Sequence, residues 1–213
     1  FAAQSPRRIW LELVAVAAGL GLLSLFMSPY WIVDFMIFCI FVMSFDLLYG
    51  FMGHLSFGAM LYYGTGAYAT ALWLSYGSQD ALAAMGVALA ATAVAAAVLG
   101  AVAILTRHAA FALINMAFNE IGFFVVRSLC KDLTNGDDGM SCGADPLLGF
   151  IDFYNSIHVF FLLLFAVLAV YAGLKWLTGS PYGIAVRSIR ENENRVQFLG
   201  YDTMFIKWLT FVI

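Results

Sequence analysis

An all-α fold, a polytopic bundle of transmembrane helices, is what this sequence predicts, and three observations predict it. Apolar runs of about 20 residues, the length that crosses a bilayer core, recur along the 213-residue chain. Charged residues make up only 11%, where a soluble domain carries about 25%. The basic residues fall almost entirely on alternate connections between the runs, as the positive-inside rule requires of a multi-pass protein.

Taken in order, the first predicted span is residues 9–27. It is longer than the apolar core of a signal peptide and lacks the small-residue cleavage site. Ser28-Pro29 breaks the chain, and residues 31–49 form the second span. The glycine-rich stretch 50–58 leads into a third at 59–76. A polar turn at 75–80 precedes the alanine-rich fourth, 82–105, which Arg107-His108 closes. The fifth, 111–129, is interrupted by Asn115, Asn119 and Glu120. A hydrophilic loop, 131–156, leads to the sixth at 157–177. After a polar segment, 180–202, a seventh begins near Phe205 and runs nine residues, too few to cross a bilayer. With Phe1 where an initiator methionine would stand, the expectation is one transmembrane domain over 1–213, incomplete at both ends, with six complete spans.

The charges orient these spans. With the N-terminus in the cytoplasm, Arg7, Arg8, Arg107, Lys175, Arg187, Arg190, Arg195 and Lys207 lie inside, and Lys131 and Arg127 outside. The loop 131–156 is then external and the segment 180–202 cytoplasmic. No basic patch or stripe supports nucleic-acid binding. Small residues at helical spacing, Gly86, Ala90, Ala93, Ala97 and Ala101 in the fourth span and Gly64, Ala67 and Ala71 in the third, predict close packing of helix backbones.

Three groups of residues are candidates for function. Helix-breaking backbone at membrane depth is tolerated where protein or a water-filled cavity satisfies the freed groups. The break at 50–58 is either part of a solute pathway, with His54, Ser56, Tyr62 and Tyr63 lining it, or an ordinary turn. Asn115, Asn119 and Glu120 share one side of the fifth span. A mid-span carboxylate costs about 2.5–3.5 kcal/mol on insertion scales and needs a partner or water. Glu120 either links through water to Arg127, two turns on, or pairs with another helix, or lines the pathway. Asp46 raises the same question, while Asp34 and Glu12 lie nearer span ends. In the loop, Cys130 and Cys142 stand on the oxidising side, where a disulfide is permitted. The acidic cluster there lacks EF-hand spacing, and the chain has no phosphate-binding P-loop and no metal-ligand spacing.

The segment 180–202, SPYGIAVRSIRENENRVQFLGYD, is the long polar stretch of an otherwise apolar chain. Ser180 is an N-cap type, Pro181 suits the first helical position and Gly200 suits the end. Tyr182, Ala185, Val186 and Ile189 form an apolar face, with Arg187, Arg190, Glu191 and Asn194 opposite; Val196 and Leu199 resume the face after Glu193 interrupts it. The pattern predicts either one amphipathic helix or two with a bend at Glu193.

Three ordered motifs resemble the branched-chain amino-acid type of ABC-transporter permease, and most resemble the larger of its two permease subunits. They are GHLSFGAMLYYGTGAYATALWL at 53–74, FNEI at 118–121 with LTNGDDGM at 133–140, and the segment from Ser180 onward. The resemblance runs over about residues 31–213. It implies an importer subunit in a bacterial inner membrane, partnered by a second related permease subunit, two cytoplasmic ATPase subunits and a periplasmic substrate-binding protein. It further implies that ATP and Mg belong to the ATPase, that this chain holds no cofactor and performs no chemistry, and that the cytoplasmic segment couples the ATPase to the pore. Gly183, Arg187, Arg190, Glu191, Asn192, Glu193 and Gly200 are the coupling residues by this resemblance. His54 stands where the family usually has Gln, RHAAFALIN at 107–115 departs from its usual stretch, and TNGDDG replaces TGGSDG. The permeant need not therefore be a branched-chain amino acid; urea, a short amide or an aromatic carboxylate fits as well. The rival expectation is a proton-coupled secondary transporter that uses Glu120, Asp46 and His54 as a relay.

Overall fold

The computed structural model describes residues 6–106, 109–147 and 151–213. Among them no β-strand occurs. The helices are α1 (Pro6–Leu23), α2 (Pro29–Asp46), α3 (Ala59–Tyr76), α4 (Ala81–Ala103), α5 (Ala109–Phe124), α6 (Lys131–Thr134), α7 (Ser156–Gly179), α8 (Pro181–Phe198) and α9 (Thr203–Val212). Two of them widen at their ends into π-helical turns, α2 over Leu47–Met52 and α5 over Val125–Leu129.

Local chemistry sets the boundaries. Asp80, Asn155 and Asp202 each accept a backbone amide of the first turn that follows, from Leu82, Ile157 and Phe205 at 3.0, 3.1 and 3.1 Å, which satisfies donors that have no partner within the helix. Ser28 makes no such bond, and there Pro29 at the first position starts α2. Among the described residues four stretches are long and apolar enough to cross a membrane: Pro29–Met52, Ala81–Ala103, Ala109–Leu129 and Ser156–Gly179. Ile9–Leu23 and Thr203–Val212 are shorter apolar helices. Helix α3 has 18 residues, but Gly64, Thr65, Gly66 and its tyrosines dilute its apolar character. Of the six expected spans, four therefore stand on length and apolarity.

The chain divides into two compact units, Phe1–Met52 with Ile151–Tyr201, and Gly53–Phe150 with Asp202–Ile213. In the first, α7 packs against α1 and α2 around Leu20, Ile32, Met36 and Val167. Glu12, which lies nearer a span end, ties α1 to α7. Its carboxylate lies 2.7 Å from Lys175 Nζ and accepts the Tyr171 hydroxyl at 2.9 Å. The Lys175 ammonium also lies 5.4 Å from the centroid of the Tyr171 ring.

In the second unit α4 packs against α3, α5 and α9. The buried small residues of α4 are Ala81, Ala84, Ala96, Gly100 and Ala103, not the expected stripe, of which Gly86, Ala90, Ala93 and Ala101 are exposed. An alanine-rich helix offers small residues on every side, so spacing alone could not choose the packed one. Gly100 marks it, because a Cβ there would overlap the Phe211 ring.

The described part of the loop 131–156 is shaped by left-handed residues, Asn135 (φ 59°), Gly136 (φ 55°) and Gly139 (φ 71°). Buried Thr134 donates to the Val126 and Cys130 carbonyls at 2.8 and 2.9 Å. Cys130 and Cys142 are both free thiols. Among the described residues no group of His, Cys, Asp and Glu could hold a metal ion.

Candidate functional site

The two units each carry a cluster of sequence-predicted residues. In the unit of α3–α5 and α9, the break begins at Gly53, whose φ of 76° requires glycine. Ser56 is buried and its Oγ accepts the Gly58 amide at 3.4 Å. Gly58 then presses on α5: a Cβ there would come within 2.7 Å of the Asn115 carbonyl oxygen. This close approach brings the break and the fifth span together.

Asn115 is wholly buried. Its Nδ2 donates to the Phe111 carbonyl at 2.8 Å, while Oδ1 has no hydrogen-bond partner among the described residues. The Tyr62 hydroxyl is likewise buried and without a partner among them. Both residues flank one aromatic group. Phe111 stands edge-on to Phe211 at 5.9 Å between centroids, Tyr62 edge-on to Phe211 at 5.5 Å, and His54 edge-on to Phe111 at 5.2 Å. Trp208 fixes α9 on α4 by donating to the Ala97 carbonyl at 2.9 Å. Each unsatisfied buried polar atom costs about 1–3 kcal/mol, so two beside one apolar cluster need an explanation.

The cluster thus unites His54, Ser56, Tyr62 and Asn115. Tyr63 is exposed on another side of α3, Asn119 is half-buried and Glu120 is exposed. Glu120 and Arg127 do not pair. Arg127 instead forms an ion pair with Asp137 and lies 5.5 Å from the centroid of the Phe123 ring. Arg127 lies within the π-helical turn Val125–Leu129, which breaks the two-turn register that pairing assumed. Phe111 and Phe211 had no sequence signal, because Phe is abundant and the α5–α9 meeting joins positions 100 residues apart. Arg107 and His108 lie outside the described residues.

The second cluster is α8 and what holds it. Ser180 Oγ donates to the Leu177 carbonyl at 2.6 Å and accepts the Gly183 amide at 3.4 Å, with Pro181 at the first helical position. Gly183 is buried, and a Cβ there would overlap the Thr178 backbone. The segment is two helices: Asn192 is extended (φ −160°, ψ 97°), and its Oδ1 accepts the Arg195 amide at 3.0 Å as a cap for the second. The bend is therefore at Asn192, one residue before the expected Glu193, because asparagine competes for backbone donors. At the far end Gly200, φ 88°, donates to the Gln197 carbonyl at 2.9 Å and Tyr201 donates to Val196 at 3.4 Å. Those two bonds form a Schellman cap.

The buried face of α8 is Gly183, Val186, Ile189 and Val196, while Leu199, expected on it, is exposed beyond the cap. Full burial of each aliphatic side chain contributes about 1.5–3 kcal/mol. Arg187 and Arg190, expected on the opposite face, turn back towards the π-helical end of α2. Arg187 lies 4.7 Å from the centroid of Phe51 and donates to the Thr178 carbonyl at 3.4 Å; Arg190 donates to the Gly50 carbonyl. Long side chains reach sideways along a surface in a way that helical spacing does not register. Glu191, Asn192 and Asn194 remain exposed. A Cβ at Gly50 would meet the Asp46 carboxylate, the end of a side chain that can turn aside. Asp46 belongs to this unit, His54 and Glu120 to the other.

No curated protein and no solved structure gives a significant match to the chain. A family model described as the permease component of a branched-chain amino acid transport system matches residues 27–213. That match takes in both clusters and every helix from α2 to α9. With its span-length apolar helices and its capped polar segment between α7 and α9, the chain belongs to the permease-component family of branched-chain amino acid transport systems.

Proposed function

We propose that the chain is the membrane subunit of an ATP-driven importer in a bacterial inner membrane, and that it passes a branched-chain amino acid or a related small polar solute inward. The observation that carries this reading is α8. It is capped at both ends, anchored on one face by Val186, Ile189, Arg187 and Arg190, and exposed along Glu191, Asn192 and Asn194. A rigidly held polar helix pair at the end of membrane helices suits transmission of motion from a cytoplasmic ATPase. In this reading Gly183, Arg187, Arg190 and Gly200 fix the segment, and Glu191, Asn192 and Glu193 belong to the part that meets the ATPase.

The topology that goes with it is six spans and the start of a seventh, with the N-terminus and α8 in the cytoplasm. Two ATPase subunits, carrying ATP and Mg, a second related permease subunit and a periplasmic binding protein complete the system. The solute path follows the break and α5, where the unpartnered Tyr62 hydroxyl and Asn115 Oδ1 offer polar atoms to a passing solute. His54 and Ser56 stand beside them, and half-buried Asn119 with exposed Tyr63 and Glu120 extends the path. A solute can be moved only if its affinity differs between the two access states.

The test is uptake in energised vesicles that contain the chain with its ATPase and binding protein. Uptake that follows ATP and survives a protonophore at constant ATP is expected. Loss of uptake to the protonophore would instead support a proton relay through Glu120, Asp46 and His54.

A further inference from the structure

We propose that the cleft between α8 and the π-helical end of α2 binds one phosphodiester anion, the headgroup phosphate of an anionic phospholipid. The cleft has a volume of about 440 Å³ and is lined by Gly50, Phe51, Arg187, Arg190 and Glu191. Arg187 gives one N–H to Thr178 and Arg190 one to Gly50, which leaves most of the five donors of each guanidinium unused. Two guanidinium forks, each held by a backbone carbonyl and neither ion-paired among the described residues, match the geometry of phosphate oxygens.

Charge and depth select the source. Among the lining residues two guanidinium groups and the Glu191 carboxylate leave a single net positive charge, lowered further by the Asp46 carboxylate beside Gly50. That suits a phosphodiester, with one negative charge, better than a phosphomonoester, which carries about −1.5 to −2 near neutral pH. The two span-length helices beside the cleft end at Met52 and Gly179, so it lies where spans leave the hydrocarbon. Tyr49 and Trp176, 53% and 76% exposed, lie one turn before those ends. Such aromatic residues are enriched at headgroup depth, and basic pockets between helix ends bind headgroups there. The inference is independent of which solute the chain passes.

The test reconstitutes the chain, with the partners that co-purify, in nanodiscs of phosphatidylcholine with and without phosphatidylglycerol, and counts retained lipids by native mass spectrometry. Preferential retention of phosphatidylglycerol is expected, reduced about tenfold in Arg187→Gln and in Arg190→Gln, the loss of one charge-assisted contact. Because both arginines also hold backbone carbonyls, Glu191→Gln gives a second readout on an exposed residue. It should raise retention severalfold. A parallel titration with inorganic phosphate in phosphatidylcholine alone distinguishes the sources. Phosphate binding that the same variants abolish would keep the anion site but overturn the lipid as its occupant. Equal retention of both lipids, or retention unchanged in all three variants, would overturn the proposal.

Discussion

Asn192 Oδ1 accepts the backbone amide of Arg195 at 3.0 Å, so one asparagine both ends the first helix of α8 and starts the second. Replacing Asn192 by Ala removes the cap and favours one continuous helix. A stability loss of about 1 kcal/mol is expected for the cap. The informative readout is solute-stimulated ATPase activity of the assembled transporter, which should fall severalfold while basal hydrolysis stays. Stimulation that remains intact would show the bend to be dispensable.

Arg190→Glu places a carboxylate against the Gly50 carbonyl, where the native guanidinium donates. The helix pair should detach locally from the end of α2, because the new group can only accept. Circular dichroism should show the spans intact. ATP hydrolysis should lose its response to the binding protein and solute. Normal uptake in this variant would count against α8 as the coupling element.

Asn115→Leu tests the unpartnered amide oxygen. The two side chains share the same branching and the leucine carries no buried polar atom, but its methyl groups are larger; relief of the unsatisfied oxygen, about 1–3 kcal/mol, is set against a similar cost of crowding, so the melting temperature should change little. Uptake should fall at least about tenfold if a solute uses that oxygen. A variant that is as stable and equally active would reduce Asn115 to a packing residue.

Two glycines separate rigid from yielding contacts. At Gly58 an added Cβ meets the Asn115 backbone carbonyl at 2.7 Å, and backbone cannot step aside. Gly58→Ala should therefore cost about 1–3 kcal/mol and lower the melting temperature. At Gly50 the obstacle is the Asp46 carboxylate, the end of a side chain that can rotate away. Gly50→Ala should cost measurably less, and thermal unfolding of the two variants side by side checks the order.

Much of the architecture was legible because its signals are local. Ser180 and Pro181 start α8 as their chemistry predicts, the break at Ser28-Pro29 precedes α2, and Gly200 closes α8 with the positive φ expected of it. The site was legible in its polar members, since His54, Ser56, Tyr62 and Asn115 do gather. What escaped was everything set by tertiary contact. Phe211 finds Tyr62 and Phe111 across the fold, Arg127 prefers Asp137 to Glu120, and Arg187 and Arg190 turn inward. The π-helical turns also left no trace, because one extra residue in a wholly apolar run changes neither its composition nor its length in any readable way.

Those turns carry a mechanical consequence. A π turn holds one residue more than the α turn it replaces, so Leu47–Met52 stores a register step at the end of α2. Absorbing that residue into regular helix would advance the chain by about 1.5 Å and swing it by roughly 100°. Gly50 sits inside this turn and holds Arg190 by its carbonyl. The end of α2 and the helix pair that follows α7 are thus geared together: a single-residue click in one displaces the handle of the other.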